Sequence, residues 1–376
     1  MRRLCAFLIM ILVLCTAKGF QLKTVALADS AEAAVVINAY TNEVLFAKNA
    51  DLRLSMASTT KIMTALILAQ QPNLDKKITV TKEMVTVEGS SMGLLPGDCV
   101  TYYGLLCGML LASGNDAANT TAVSIAGSVE NFAVLMNQKA KEIGMKNTNF
   151  VTASGLDADN HYSTAYDMAI LGAHAMENSV FREVASSRSK TVEYGNKPYN
   201  RTLTNHNKLL KYYEHAIGVK TGFTKKSGRC LVSCAQRDNK RIVAVTLNAP
   251  DDWNDHKRLL DYGFSKLNTY ILKCDLKEID VVGCVRDTAR LYADDCKIGL
   301  TASEYAKIEK RYFIPGFIYG PVKNKKIGKV DYLIEGNVIC SADIITFDNI
   351  ETETAESNRF WHDLLLNFKR IFMFYC

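Results

Sequence analysis

Three things are scarce in this chain of 376 residues. It has no C-x-x-C pair, so the common cysteine frame of a structural zinc site is missing. It has no apolar run of the roughly 20 residues that a membrane-spanning helix needs. It also has little net charge once its leader is discounted. The formal balance is +6, from 45 basic and 39 acidic residues. Arg2, Arg3, Lys18 and Lys23 all precede the end of Ala26-Leu27-Ala28, an A-x-A cleavage pattern, and no acidic residue does. Taking those four from 45 leaves 41 basic residues, a surplus of two. That is no electrostatic footprint for a nucleic-acid partner.

What is present points to an exported globular protein. Met1-Arg2-Arg3 followed by Leu4 to Leu14 reads as the charged and apolar regions of a signal peptide. Cleavage is expected after Ala28, with Ala17 an earlier alternative. A hydrophobic content of 48% suits a packed core, and the length suits two domains. Of eleven cysteines, Cys5 and Cys15 leave with the leader. The nine others are expected to be buried thiols acting as small hydrophobes. Cys230 and Cys234 fall on one face of an expected strand, too far apart along it to bridge.

Patterning gives the order of elements. Strand, turn and strand over 33–48 lead into a helix that Ser58 caps or begins. Helices are expected over Tyr102–Leu111, Ala117–Ile125, Val129–Ile143 and, with Ser163 as cap, up to Met176. A polar segment follows. Strands are then expected over Ile217–Thr224, Cys230–Ala235 and Arg241–Leu247, and a helix over Asp252–Phe264. Strands at both ends with helices between them give an α+β fold, an antiparallel sheet flanked by a helical block. Beyond Lys266, short runs such as Ile279–Val282, Ala289–Tyr292, Val330–Ile334 and Ile344–Phe347 predict a small all-β domain. The expected division is signal peptide 1–28, main α+β domain 29–265, β-rich domain 266–348, and acidic linker with terminal helix 349–376.

Three short motifs carry chemistry. Ser58 and Lys61 are three apart, so a helix puts them on one face. A serine hydroxyl becomes a nucleophile when a neighbouring base takes its proton, and a desolvated lysine amine can be that base. The same spacing recurs at Ser187 and Lys190, inside a polar stretch without an apolar face. Ser113-Gly114-Asn115 breaks two helices and is the one Ser-x-Asn in the chain. Lys220-Thr221-Gly222 lies on an expected strand, whereas Lys226-Ser227-Gly228 falls in a turn.

Taken in this order, the motifs resemble the active-site set of the penicillin-recognising serine enzymes. The flanking text resembles the low-molecular-mass penicillin-binding proteins that are D-alanyl-D-alanine carboxypeptidases. It includes Met56 to Ala65, Ser113 to Ala118, Gly144 to Thr148 and Gly218 to Thr224. The resemblance covers about Ala33 to Phe264 and, more loosely, the β-rich part. It implies a β-lactamase/transpeptidase-like catalytic domain, a substrate in peptidoglycan stem peptides, and acylation by β-lactam antibiotics. It implies that Ser58 attacks the penultimate D-alanine carbonyl and that Lys61 is the base. Ser113 would relay a proton to the leaving amine, and Asn115 would hold the substrate amide or Lys61. Lys220 and Thr221 would receive the terminal carboxylate, and Gly222 would let substrate lie along the strand. Backbone N–H groups of Ser58 and Phe223 would form the oxyanion hole. No metal or cofactor is implied.

Ser227 stands where many relatives carry alanine, outside the expected pocket. Asn205-His206-Asn207 falls at a polar substrate-side loop, with a solvated turn as the alternative. A serine β-lactamase is disfavoured because the second motif is Ser-Gly-Asn and there is no Glu-x-x-Leu-Asn segment. An inert wall-binding protein would have lost Ser58, Lys61 or Lys220. Endopeptidase action on cross-links uses the same chemistry and differs only in pocket access. Finally, Arg359 to Tyr375 gathers Phe360, Trp361, Leu364, Leu365, Phe368, Ile371, Phe372 and Tyr375 on one helical face. It is expected to lie on the outer surface of the cytoplasmic membrane as an interfacial anchor.

Overall fold

The computed structural model describes residues 27–28 and 30–351. The signal-peptide reading therefore lies almost wholly outside the described residues, and the terminal-helix reading lies wholly outside them. Among the described residues no helix is long and apolar enough to cross a membrane.

A five-stranded antiparallel sheet forms the frame. In chain order its strands are β1 (Ala33–Asn38), β2 (Val44–Lys48), and, much later, Ala216–Thr224, Gly228–Arg237 and Lys240–Leu247. Between the two groups come α1 (Lys61–Ala69), β3 (Lys77–Thr79), β4 (Cys99–Thr101), α2 (Tyr102–Leu110), α3 (Asn115–Ala126), α4 (Val129–Glu142), α5 (Ala165–Ala175), α6 (Ser179–Ser186), β5 (Ser189–Gly195) and β6 (Tyr199–Thr204). The three late strands are β7, β8 and β9, and α7 (Asp252–Lys266) follows them. Sheet order is β2-β1-β9-β8-β7, which leaves β7 at an edge.

Both faces of this sheet are covered, which explains the unbroken apolar run of β1. Every residue of β1 is buried. Val35, Ile37, Val243 and Val245 face the helical block, whereas Ala34, Val36, Ile242 and Ala244 pack with Leu259, Leu260 and Phe264 of α7. At the centre of the block, α1 is buried on every side, Lys61 included. An all-round apolar helix belongs in a core, so a buried lysine on it needs explanation.

Several boundaries differ from the sequence expectation. Ser58 neither caps nor begins the α-helix. It sits in a 3-10 turn, Ala57–Thr60, that feeds α1 at Lys61 without a side-chain cap. Its hydroxyl is thereby left free of capping duty. The cap of α5 is Thr164, whose side chain accepts the Asp167 N–H; Ser163 bonds Thr148 instead. The polar segment after residue 176 is ordered as α6, β5 and β6, the strands joining β3 and β4 in a peripheral sheet. Its alternating burial was hidden by the polar residues on the solvent face.

The β-rich part packs Val330, Tyr332 and Ile344 with Ile298 and Leu300. The expected run Ala289–Tyr292 is split at Arg290: Thr288–Ala289 and Leu291–Ala293 join different sheets, and Arg290 pairs with Asp348. The thiol expectation also fails for one pair. Cys296 and Cys340 form a disulfide across 44 residues, with Cα atoms 6.7 Å apart. Strand packing, not sequence spacing, brings them together. Cys107, Cys230 and Cys234 are buried thiols as expected, whereas Cys99 and Cys274 are only half-buried. Against the five-stranded sheet, Gly299 N–H donates to Asn239 O at 2.8 Å, and Asn38 Nδ2 donates to the buried Glu304 carboxylate at 3.0 Å.

Candidate active site

The 3-10 turn and the first residue of α1 put Ser58 and Lys61 on one side, with Oγ and Nζ 2.9 Å apart. Lys61 Nζ also donates to Asn115 Oδ1 at 2.6 Å and to the Ser154 carbonyl at 2.6 Å. Of the two roles open to Asn115, the structure therefore favours holding Lys61. Asn115 is fixed in turn by donating from Nδ2 to Glu88 O at 2.6 Å.

The second motif occupies the break between α2 and α3. Ser113 has φ +58°, an unusual conformation for a residue other than glycine. Gly114 is required next to it, because a Cβ would lie 2.5 Å from Asp116 Oδ1 and 2.9 Å from Met92 N. Lys220, buried on edge strand β7, donates to Ser113 Oγ at 3.0 Å and to Thr221 O at 2.9 Å. Gly222 lies against the nucleophile turn; a Cβ there would be 3.0 Å from the amide nitrogens of both Ser58 and Thr59. This brings the Gly222–Phe223 backbone beside the Ser58 N–H. The two decoys do not assemble. Lys190 pairs with Glu183, and Ser227 bonds Thr224 within its turn.

Ser58, Ser113, Thr221, Gly222 and Phe223 line a cleft of about 310 Å³. Phe223 stands 65% exposed at its rim. The electrostatics are set by two buried cations. Burial holds the Lys61 amine well below the ordinary lysine range, the Lys220 charge lowers it further, and Asp116 opposes both. Burial alone brings Lys220 down to about 7. His206, also at the cleft, is pushed down by burial and then by Lys220. Its neighbours Asn205 and Asn207 are occupied in holding the loop through backbone contacts.

Sequence reasoning missed three contributors. The Ser154 carbonyl is a backbone acceptor and leaves no residue-type signature. Asp116, buried directly after the second motif, accepts Ser91 Oγ and the N–H groups of Met92, Gly93 and Leu94 at 2.5–3.0 Å. It anchors the loop that holds Asn115. Its place beside Asn115 was the available clue. Arg229 faces Phe223 in the β7–β8 register and grips Asp252 with two nitrogens, at 2.7 Å from Nη2 and 3.0 Å from Nε. Both residues border the cleft with Trp253, and only the strand pairing reveals that. Among the described residues no cluster of metal-ligating side chains occurs.

Comparison with known proteins gives the family. The sequence model of the peptidase family S11, D-alanyl-D-alanine carboxypeptidase, matches residues 21–251. D-alanyl-D-alanine carboxypeptidase DacF of Bacillus subtilis is 38% identical over 259 residues, 66% of this chain and 66% of that protein. DacC of Escherichia coli is 32% identical over 91% of this chain and 89% of its own length, so the likeness extends into the β-rich part. Penicillin binding protein 5 of Haemophilus influenzae superposes with a TM-score of 0.61 at 29% identity, covering 86% of this chain and 98% of that one. The Streptomyces K15 DD-transpeptidase gives a TM-score of 0.60 at 34% identity over 63% of this chain and 97% of that one. This chain belongs to the D-alanyl-D-alanine carboxypeptidase family of serine peptidases.

Proposed function

We propose that this chain releases the terminal D-alanine of peptidoglycan stem peptides through an acyl-enzyme on Ser58, and that penicillins acylate the same oxygen. The observation carrying the reading is the environment of Lys61. A neutral amine has two hydrogens and one lone pair. Asn115 Oδ1 and the Ser154 carbonyl take the two hydrogens, each at 2.6 Å, which leaves the lone pair for the Ser58 hydroxyl at 2.9 Å. Burial and the nearby Lys220 charge favour the neutral amine.

Ser58 Oγ forms a bond to the penultimate D-alanine carbonyl carbon while its proton passes to Lys61. Negative charge on the carbonyl oxygen meets the N–H groups of Ser58 and Phe223; losing one such donor typically costs about 10²–10³ in rate. The C–N bond breaks as Ser113 O–H gives its proton to the leaving amine. Lys220, bonded to Ser113, resupplies that proton, and its pKa of about 7 suits a donor near neutrality. Exchange with solvent returns the proton from Lys61 to Lys220. Water then hydrolyses the ester. Lys220 and the Thr221 hydroxyl receive the substrate carboxylate; Arg229 borders the same cleft with its charge paired to Asp252.

Stem-peptide hydrolysis by purified Ser58→Ala protein is the test. The reading expects D-alanine release and penicillin uptake both to vanish, with the fold retained. Release that continues in that variant refutes it. A cross-linked dimer in the same assay measures endopeptidase action. The enzyme is further proposed to work on the outer face of the cytoplasmic membrane, held there by Arg359 to Tyr375. The leader pattern and the apolar face of that segment support this. Truncation after Ser357 should give a soluble protein that still takes up penicillin; a truncated protein that stays on membranes rules out the anchor.

A further inference from the structure

His161 hydrogen-bonds neither Ser58 nor Lys61, yet it is buried, 5% exposed. Its Nδ1 accepts the Val151 N–H at 2.9 Å, with the Thr152 N–H also aimed at it at 3.4 Å. An imidazole nitrogen that accepts carries no hydrogen, so the hydrogen is on Nε2, which donates to Thr60 Oγ1 at 2.9 Å. Thr60 lies in the nucleophile turn, between Ser58 and Lys61. One ring therefore ties that turn to the segment 151–155.

The same segment meets the nucleophile elements at three further points. The Ser154 carbonyl accepts from Lys61. The Ala153 carbonyl accepts from Thr64 Oγ1 at 2.7 Å, one turn further along α1. Gly155 packs so closely that a Cβ would lie 1.9 Å from Ala57 O. The segment is a strap across the turn, and it covers Lys61. Its carbonyls are backbone groups, so their position depends on whatever fixes the strap. Among the described residues, the side chain that bonds the Val151 and Thr152 N–H groups is that of His161, while Thr152 Oγ1 accepts the Gly155 N–H at 3.1 Å within the strap. The Phe150 ring packs edge-on against the imidazole at 6.1 Å between centroids.

We propose that His161 is a positioning residue for acylation. It holds the 151–155 strap against Thr60, so that the Ser154 carbonyl keeps the Lys61 amine oriented at Ser58 and out of water. This rests on the reading of Lys61 as the base. The ring must stay neutral to do so, because a protonated Nδ1 would point a hydrogen at two N–H groups. Burial keeps it neutral, lowering it to about 4, and Asp157 is the charged group opposing that. At Lys61 the charged neighbours are Lys220 and Asp116.

The test is the pH dependence of benzylpenicillin acylation in the full chain, for His161→Ala, His161→Asn and Thr60→Val. A strap that drifts by about 1 Å should slow acylation by roughly 10²-fold. Water admitted to Lys61 weakens the burial that lowers its pKa, so the midpoint of the acylation profile should move alkaline. Raising pH toward about 7, where Lys220 still keeps its charge, should restore part of the rate. His161→Asn, which can still accept from Val151, should recover part of the loss. Thr60→Val breaks only the Nε2 bond, is least able to disturb folding, and should shift the profile in the same direction by less. Variants with a lower Tm but the wild-type rate and midpoint would overturn the inference, since a purely structural role predicts that. Lys61→Arg run alongside separates the two readings. Wild-type acylation there removes Lys61 as base and this inference with it. A dead Lys61→Arg with unshifted His161 and Thr60 variants overturns this inference alone.

Discussion

Replacing Gly155 by alanine should damage catalysis out of proportion to the one methyl added. Gly155 has φ +85°, a region that costs other residues about 1–3 kcal/mol. Its new Cβ would lie 1.9 Å from Ala57 O, 2.5 Å from Ala57 C and 2.8 Å from Thr60 Oγ1. An ordinary carbon–oxygen contact is about 3.3 Å, so roughly 1.4 Å of separation must be found. The obstacle is backbone on both sides and cannot swing away as a side-chain tip could. Overpacking of this kind adds about 1–3 kcal/mol, for a total of about 2–6 kcal/mol. Relief must come from moving either the nucleophile turn or the strap, and either motion disturbs the 2.6 Å bond between Ser154 O and Lys61. A displacement of about 1 Å there should slow penicillin acylation by roughly 10²-fold. Gly144→Ala is the control, for it shares a positive φ, +89°, but a Cβ there meets nothing within 4 Å. It should lose stability through φ alone and acylate normally. Stopped-flow acylation and thermal unfolding of both proteins decide the matter. If Gly155→Ala acylates within a few-fold of Gly144→Ala, the close strap contact does not position the catalytic groups.

Three other outcomes are expected. The kcat/KM profile for a stem peptide should be bell-shaped. Its rising limb follows loss of the proton from Lys61, and its falling limb follows loss of the Lys220 charge as pH passes about 7; a profile unchanged in Lys220→Arg contradicts the second assignment. Asp116→Asn exchanges an acceptor of three N–H groups for one that turns its own NH₂ toward them, so it should cost about 1.5–3 kcal/mol in denaturant unfolding and slow acylation by loosening Asn115. Reduction of Cys296–Cys340 opens a 44-residue loop and should destabilise the β-rich part by up to about 4 kcal/mol on chain-entropy grounds. Penicillin uptake should survive that reduction, and its loss would mean that the β-rich part shapes the cleft.

The site was legible in the sequence wherever chemistry is written in adjacent residues. Ser58 and Lys61 are separated by one turn, and Ser113 and Asn115 by a single glycine, so type and spacing carried the information. The hydrophobic runs of β1, β8 and β9 and the periodicity of α2 and α4 marked the frame for the same reason. What escaped was of another kind. The Ser154 carbonyl has no side-chain signature. The contact between Lys220 and Ser113 joins residues 107 apart, and family likeness rather than physics foretold it. Arg229 enters the cleft only because β8 pairs with β7 in one register. Strands β5 and β6 were masked because a half-exposed peripheral hairpin has too few apolar positions to show its period. The disulfide likewise depends on the packing of two strands that no spacing rule connects.

Every step proposed for this cleft depends on Ser58 being the acylated residue. The most direct test is peptide mapping by mass spectrometry after brief incubation with benzylpenicillin and acid quenching. Trypsin cuts after Arg53 and Lys61, so Ser58 falls in the peptide Leu54–Lys61. The penicilloyl mass is expected on that peptide, localised by fragmentation to Ser58, at up to one equivalent per chain, and absent from Ser58→Ala. An adduct on Ser113, on Ser187, or on any peptide other than Leu54–Lys61 would contradict it.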